Sequence, residues 1–182
     1  PGLKVVIPST AYDAKGLLKA AIRDNNPVLF LEQKLLYRIK GPVPEPGDDY
    51  IIPLGKADTK REGKDLTIIT YGRMVPRCLT IAEQFAEKKE ADIEVVDIRT
   101  LVPLDRQALI DSAKKTGRVL VVHEACQTGG FGGEIVSTIV DSDAFFYLDA
   151  PVKRLGGLDV PIPYNPHLEA QVVPTEEKIA AA

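Results

Sequence analysis

Tryptophan is missing from this 182-residue chain, methionine occurs once, and histidine and cysteine occur twice each. Cys78 and Cys126 stand too far apart in sequence for a CxxC metal pair or redox motif. They are expected as two buried or half-buried thiols kept in a reducing compartment. No block of Lys and Arg, and no basic face interleaved with aromatics, occurs along a chain of formal net charge −3, which argues against a nucleic-acid partner. No apolar run approaches the roughly 20 residues of a spanning helix, so no membrane segment is expected. The opening Pro1-Gly2-Leu3-Lys4 carries neither Met nor a signal pattern, and a strand-like run follows at once. The sequence therefore reads as one that starts in the middle of a fold.

An apolar share of 45% is enough for a sizeable core, and the length suits one generous domain or one domain plus part of another. LKVVIP is a buried-strand run. In DAKGLLKAAIRDNN, Ala14, Leu17, Leu18, Ala21 and Ile22 share a helical stripe, with Asp13 as the expected cap and Asn25-Asn26-Pro27 as the stop. VLFLE is the next strand, which completes a parallel, right-handed βαβ unit over residues 1–40. GPVPEPG then packs three prolines and two glycines into seven residues. With the polar stretch after it, this marks a linker over 41–64.

Residues 65–182 alternate. LTIITYG, IEVVDIRT, RVLVVHE and PVKRLGG read as strands. MVPRCLTIAEQFAEKK, LDRQALIDSAKKTG, FGGEIVSTIVDS and PTEEKIAAA read as helices. Pro76 is tolerable in a first turn, Asp105 lies near a helix start, and Gly117 lies past a helix end. The expected fold class is α/β, three-layered, with a mostly parallel sheet covered on both faces.

The turn HEACQTGGFGGEI, between a strand and a helix, sits where a phosphate loop would. Its spacing is wrong for one. Gly130 and Gly132 begin a G-x-G, but position 135 is Ile, and no P-loop pattern occurs anywhere. Close helix–strand packing and a turn that needs positive φ account for the glycines better than nucleotide binding does. His123 ends its strand where open parallel sheets place their sites. It is the one candidate for an active-site mouth, where a neutral imidazole can steer or protonate a substrate, the alternative being a histidine satisfied by a nearby carbonyl. Asp97 and Arg99 read as a structural ion pair.

Four separated phrases carry a resemblance: PGLKVVIPSTAYDAKGLLKAAIRDNNPVLFLE, VVDIRTLVPLD, VVHEACQTGGFGGEI and LDAPVKRLGGLDVPIPYNPHLE. In this order the chain resembles the later half of the beta subunit of thiamine-diphosphate-dependent 2-oxoacid dehydrogenases. Residues up to about Lys40 resemble the tail of the pyrimidine-binding domain, and from about Gly55 onward the transketolase-type C-terminal domain. HEA with TGGFG, and the segment KLLYR, lean toward branched-chain members over pyruvate members.

The resemblance implies oxidative decarboxylation of a 2-oxoacid and acyl transfer to lipoyl-lysine, with thiamine diphosphate and magnesium held in the intact complex. It puts the catalytic Glu, stacking aromatic and His upstream of Pro1, so no catalytic or cofactor-binding residue is expected here. It also implies a partial potassium site at Ala21, Ile22, Asp24 and Asn26, where helix-end carbonyls and hard oxygens gather. Asp149 becomes the partner-binding position. The implied partners are an alpha subunit, a second beta subunit and the basic peripheral-subunit-binding domain of a dihydrolipoyl acyltransferase. The implied location is the cytoplasm, or the mitochondrial matrix in a eukaryote. A non-catalytic assembly module and a nucleotide-binding domain are the alternatives. Incomplete cover over Leu3–Val6, Leu17, Leu18 and Val28–Leu31 predicts self-association, or disorder before about residue 50.

Overall fold

The computed structural model describes residues 2–182. Strand β1 (Lys4–Val6), helix α1 (Ala11–Arg23) and strand β2 (Val28–Phe30) form the expected βαβ unit, with β1 and β2 parallel. The cap of α1 is Thr10, whose hydroxyl accepts from the Asp13 amide at 3.1 Å. Asp13, expected as the cap, is buried in the first turn and spends its carboxylate on residues of the second unit. Val6, Leu17 and Ile52 form the small core here. A 3-10 turn at Lys34–Arg38 leads into an extended linker.

The linker ends sooner than its composition suggests. Asp58–Arg61 is a strand, β3, paired antiparallel with β5 (Ile93–Asp97) at the edge of the large sheet. An edge strand tolerates the charged sequence DTKR because one flank faces solvent. With β4 (Leu66–Thr70), β7 (Val119–Cys126) and β8 (Lys153–Gly157) it makes a five-stranded sheet in the order β3-β5-β4-β7-β8, parallel except for β3. Helices α2 (Met74–Glu87), α3 (Arg106–Thr116) and α4 (Gly132–Val140) alternate with these strands. Two short helices, α5 (Pro166–Val172) and α6 (Glu176–Ala180), close the chain.

The sheet has a core on each face. One is built from Ile68, Val95, Leu120 and Val122 with Met74, Cys78 and Ile81 of α2 and Ile179 of α6. The other sets Ile69, Val96 and Val121 against Leu109 and Ala113 of α3 and Ile135 and Ile139 of α4. Each large side chain buried there stabilises the fold by about 1.5–3 kcal/mol. Alternating residues along β4, β5 and β7 feed opposite layers, which is why these strands read as continuous apolar runs.

One strand expected from sequence is two. IEVVDIRT breaks at Ile98–Arg99, where Arg99 has φ +53 and its amide donates to Asp97 Oδ1 at 3.0 Å. The chain leaves the large sheet there and Thr100–Val102, strand β6, pairs antiparallel with β1 in a second sheet of order β2-β1-β6. The second unit thus supplies an edge strand to the first. Of the cysteines, Cys78 is buried as expected, whereas Cys126, past the end of the β7 pleat that packs in the core, is exposed.

Candidate functional site

The carboxyl ends of β1, β2, β4 and β7 meet around a crevice of about 320 Å³ between the two units, lined by Ile7, Leu31, Gln33, Tyr71, Arg73 and Glu124. Ligands of open parallel sheets lie on this side. Glu124, at the end of β7, accepts from Gln33 Nε2 at 2.9 Å and from Arg73 at 3.0 Å. Arg73 also reaches Glu169 of α5 at 3.5 Å, so its guanidinium is shared between two carboxylates. Burial, with Glu124 nearby, pushes the Tyr71 phenol up to about 12, so it stays a proton donor. Gln33, Tyr71 and Arg73 were not singled out from sequence. Gln33 and the Tyr71–Arg73 pair come from separate segments, and only the fold brings them to Glu124.

His123 lies beside this crevice but does not open into it. The ring is fully buried, 0% exposed. Gly130, Gly132 and Gly156 box it in, and a Cβ on any of them would stand 2.3–2.7 Å from ring atoms. Tyr71 lies parallel to it with centroids 6.5 Å apart. Nδ1 is 3.0 Å from the Ala125 carbonyl and donates to it, which leaves Nε2 as the unprotonated nitrogen, buried with no partner. Burial, aided by Arg154, holds the imidazole below its ordinary range, so it is neutral. The placement at an open mouth is therefore corrected: the ring is enclosed because the glycine turn packs directly on it. The glycines serve the close packing read from their spacing, and Gly129 has φ +71.

The other expected residues fall at two distant places. At the end of α1 the Asp24 carboxylate is engaged by Lys4, which holds it down at about 2, and by the Asn26 amides at 2.9 and 3.0 Å. The Ala21 carbonyl takes the Asp24 amide at 3.3 Å. A cation there competes with Lys4 for the carboxylate, so these residues fit a potassium ion only in part. Asp149 stands before β8, its amide bonded to the Gly117 carbonyl at 2.8 Å and its exposed carboxylate 3.9 Å from Arg118. Phe145, Phe146 and Tyr147 are exposed next to it. Asp97 and Arg99 do not pair side chain to side chain: Arg99 turns to Asp13 at 3.1 Å and Asp58 at 3.7 Å. Among the described residues no cluster of three or more His, Cys, Asp or Glu forms a metal cage.

A mainly parallel sheet between two helical layers, joined to a short βαβ sheet, defines the class as an α/β fold of the transketolase type. The chain belongs to the family described as "Transketolase, C-terminal domain", which matches residues 55–179, and "Transketolase, pyrimidine binding domain" matches residues 1–40. It is 53% identical over 184 residues to the 2-oxoisovalerate dehydrogenase subunit beta of Bacillus subtilis, covering all of this chain and 55% of that one. The beta subunit of acetoin:2,6-dichlorophenolindophenol oxidoreductase from the same organism is 47% identical, with 52% of its length covered. The mitochondrial pyruvate dehydrogenase E1 component subunit beta of Chaetomium thermophilum is also 47% identical, with 98% of this chain and 47% of that one covered. Among solved structures, a split gene transketolase described as an inactive beta4 tetramer has a TM-score of 0.77 at 27% identity, covering all of this chain and 56% of that one. The chain spans about half the length of the curated relatives it matches.

Proposed function

We propose that this chain works as the later part of a 2-oxoacid dehydrogenase beta subunit. The reading rests on one observation. Dehydrogenase beta subunits align along essentially the whole chain, at 45–53% identity for the relatives from Bacillus, Chaetomium and Dictyostelium. In the assembled complex, with an alpha subunit and a second beta subunit, thiamine diphosphate and magnesium supply the carbanion chemistry for decarboxylating the 2-oxoacid. This chain's residues build the wall behind that chemistry. Arg73, Glu124 and Gln33 fix the crevice between the two units, and His123 locks the turn above it. Branched-chain 2-oxoacids are the favoured substrates, with pyruvate and acetoin as competitors. The carbonyls of Ala21 and Ile22, with Asn26 and Asp24, form part of a potassium site once Lys4 yields. Asp149, exposed among aromatics, receives a basic peripheral-subunit-binding domain of an acyltransferase, with fast, salt-sensitive association.

Reduction of 2,6-dichlorophenolindophenol with 2-oxoisovalerate, pyruvate or acetoin as donor tests the assignment. The chain mixed with alpha subunits, thiamine diphosphate and magnesium is expected to be inactive. The same chain fused behind the first half of the Bacillus 2-oxoisovalerate subunit is expected to be active, fastest with 2-oxoisovalerate. Turnover by the unfused chain refutes the placement of the catalytic groups. An inactive, well-folded fusion refutes the family role.

A further inference from the structure

The seam between the two units is held by charge buried away from solvent. Ser9, Thr10 and Asp13 come from the start of α1, Asp58 and Lys60 from β3, and Asp97 and Arg99 from the break between β5 and β6. Asp13 and Asp97 are both 0% exposed. Three carboxylates, Asp13, Asp58 and Asp97, face two cations, Lys60 and Arg99. Tyr50 adds a buried hydroxyl without a partner, its ring tilted against Tyr12 with centroids 4.5 Å apart. Thr70, the register partner of Asp97 on β4, is uncharged.

The two buried acids are not served equally. Asp13 takes Lys60 at 2.6 Å, the Thr10 hydroxyl at 2.6 Å and Arg99 at 3.1 Å. Asp97 has the Arg99 amide at 3.0 Å, Lys60 only at 4.0 Å, and the Ser9 hydroxyl on Oδ2. Ser9 Oγ also lies 3.3 Å from Asp13 Oδ2. A serine hydroxyl has one hydrogen and cannot donate to both carboxylates. A proton on Asp97 satisfies both contacts at once, with Asp97 donating to Ser9 Oγ and Ser9 donating to Asp13. Asp13, with three strong donors, stays ionised, so the proton belongs on Asp97.

We propose that a proton held on Asp97, against the Ser9 hydroxyl, latches the first unit to the second, and that its loss with rising pH unlatches them. Burial pushes the Asp97 carboxyl up to about 7; Ser9 and Lys60 pull it down and the charge of Asp13 adds to the push. When the seam opens, Asp97 returns to its ordinary value near 3.8 and releases the proton. The latch is then at full strength below about pH 4 and is lost progressively as pH rises to about 7. Asp13 behaves oppositely. Its carboxyl is lowered, so its contribution is lost only in acid below its ordinary value of 3.8, and the two windows are separate. The latch is a property of the fold and holds whatever reaction the assembled protein runs.

Carboxyl carbon-13 spectra of the full chain, labelled at aspartate, read this directly. The Asp97 Cγ is expected to titrate with a midpoint near 7, and a midpoint below 5 overturns the latch. Amide exchange at Ile7, whose N–H bonds the Arg99 carbonyl across the seam at 2.8 Å, supplies the second readout. Corrected for intrinsic exchange, its opening is expected to rise up to about tenfold per pH unit between 5 and 7. In Asp97→Asn, which keeps the shape without the titration, that rise is expected to vanish. A flat profile in the unaltered chain, or the same rise in the variant, refutes the proposal.

Discussion

Gly132 places the spot where a Cβ would sit 2.3 Å from the His123 ring, and neither neighbour has room to move, since Gly130 and Gly156 press on the same ring. Gly132→Ala is therefore expected to destabilise the fold by about 1–3 kcal/mol, read as a shift in the urea midpoint with an unchanged slope. Gly129→Ala meets no atom within 4 Å and loses only the cost of positive φ, so it is expected to be milder. The role of this turn was legible from spacing, because two glycines flanking one aromatic before a helix signal close packing. What they pack against was not. His123 lies on β7 before the glycines, and its enclosure depends on Gly156, more than thirty residues later, brought alongside by the β7–β8 pairing. The same limit applies to Cys126: the strand continues through it, but the core beneath ends before it.

Among elements, α1 is anchored at its first turn. Asp13→Ala removes the carboxylate that Lys60 and Arg99 share and leaves both cations in a buried seam. The expected loss is about 3–5 kcal/mol by chemical denaturation. Asp13→Asn, which retains hydrogen-bond acceptance, is expected to lose less. Helices α1, α2, α3 and α4 were readable because their apolar residues recur at helical spacing, even though the cap of α1 is Thr10 and α2 and α4 carry no side-chain cap. The break in IEVVDIRT was not readable, because the alternation runs straight through Ile98 and the cause is remote. Arg99 adopts a left-handed backbone conformation while its guanidinium reaches the Asp13 carboxylate and the carbonyls of Lys56 and Ala57. The strand within DTKR escaped for the opposite reason: its charges resemble a linker until β5 is placed beside it.

At the scale of the whole molecule, the layered, mainly parallel sheet follows from the sequence, and the surfaces left uncovered follow from sequence and fold together. Ile22 is 75% exposed, Tyr37 65% and Leu18 44%, all on the first unit. Concentration-dependent association is expected in sedimentation velocity, diminished by Leu18→Ser with Ile22→Ser; a monomer that sediments identically over a hundredfold dilution contradicts this. Sequence could not reveal how the units interlock, since that rests on β6 crossing over to pair with β1. The crossing matters for anyone exchanging parts between relatives. A splice made in the proline-rich segment looks neutral on paper, yet it pairs a foreign βαβ unit with a resident Thr100–Val102. Grafts that carry this tripeptide and its flanking Arg99 along with the βαβ unit should fold where plain splices aggregate.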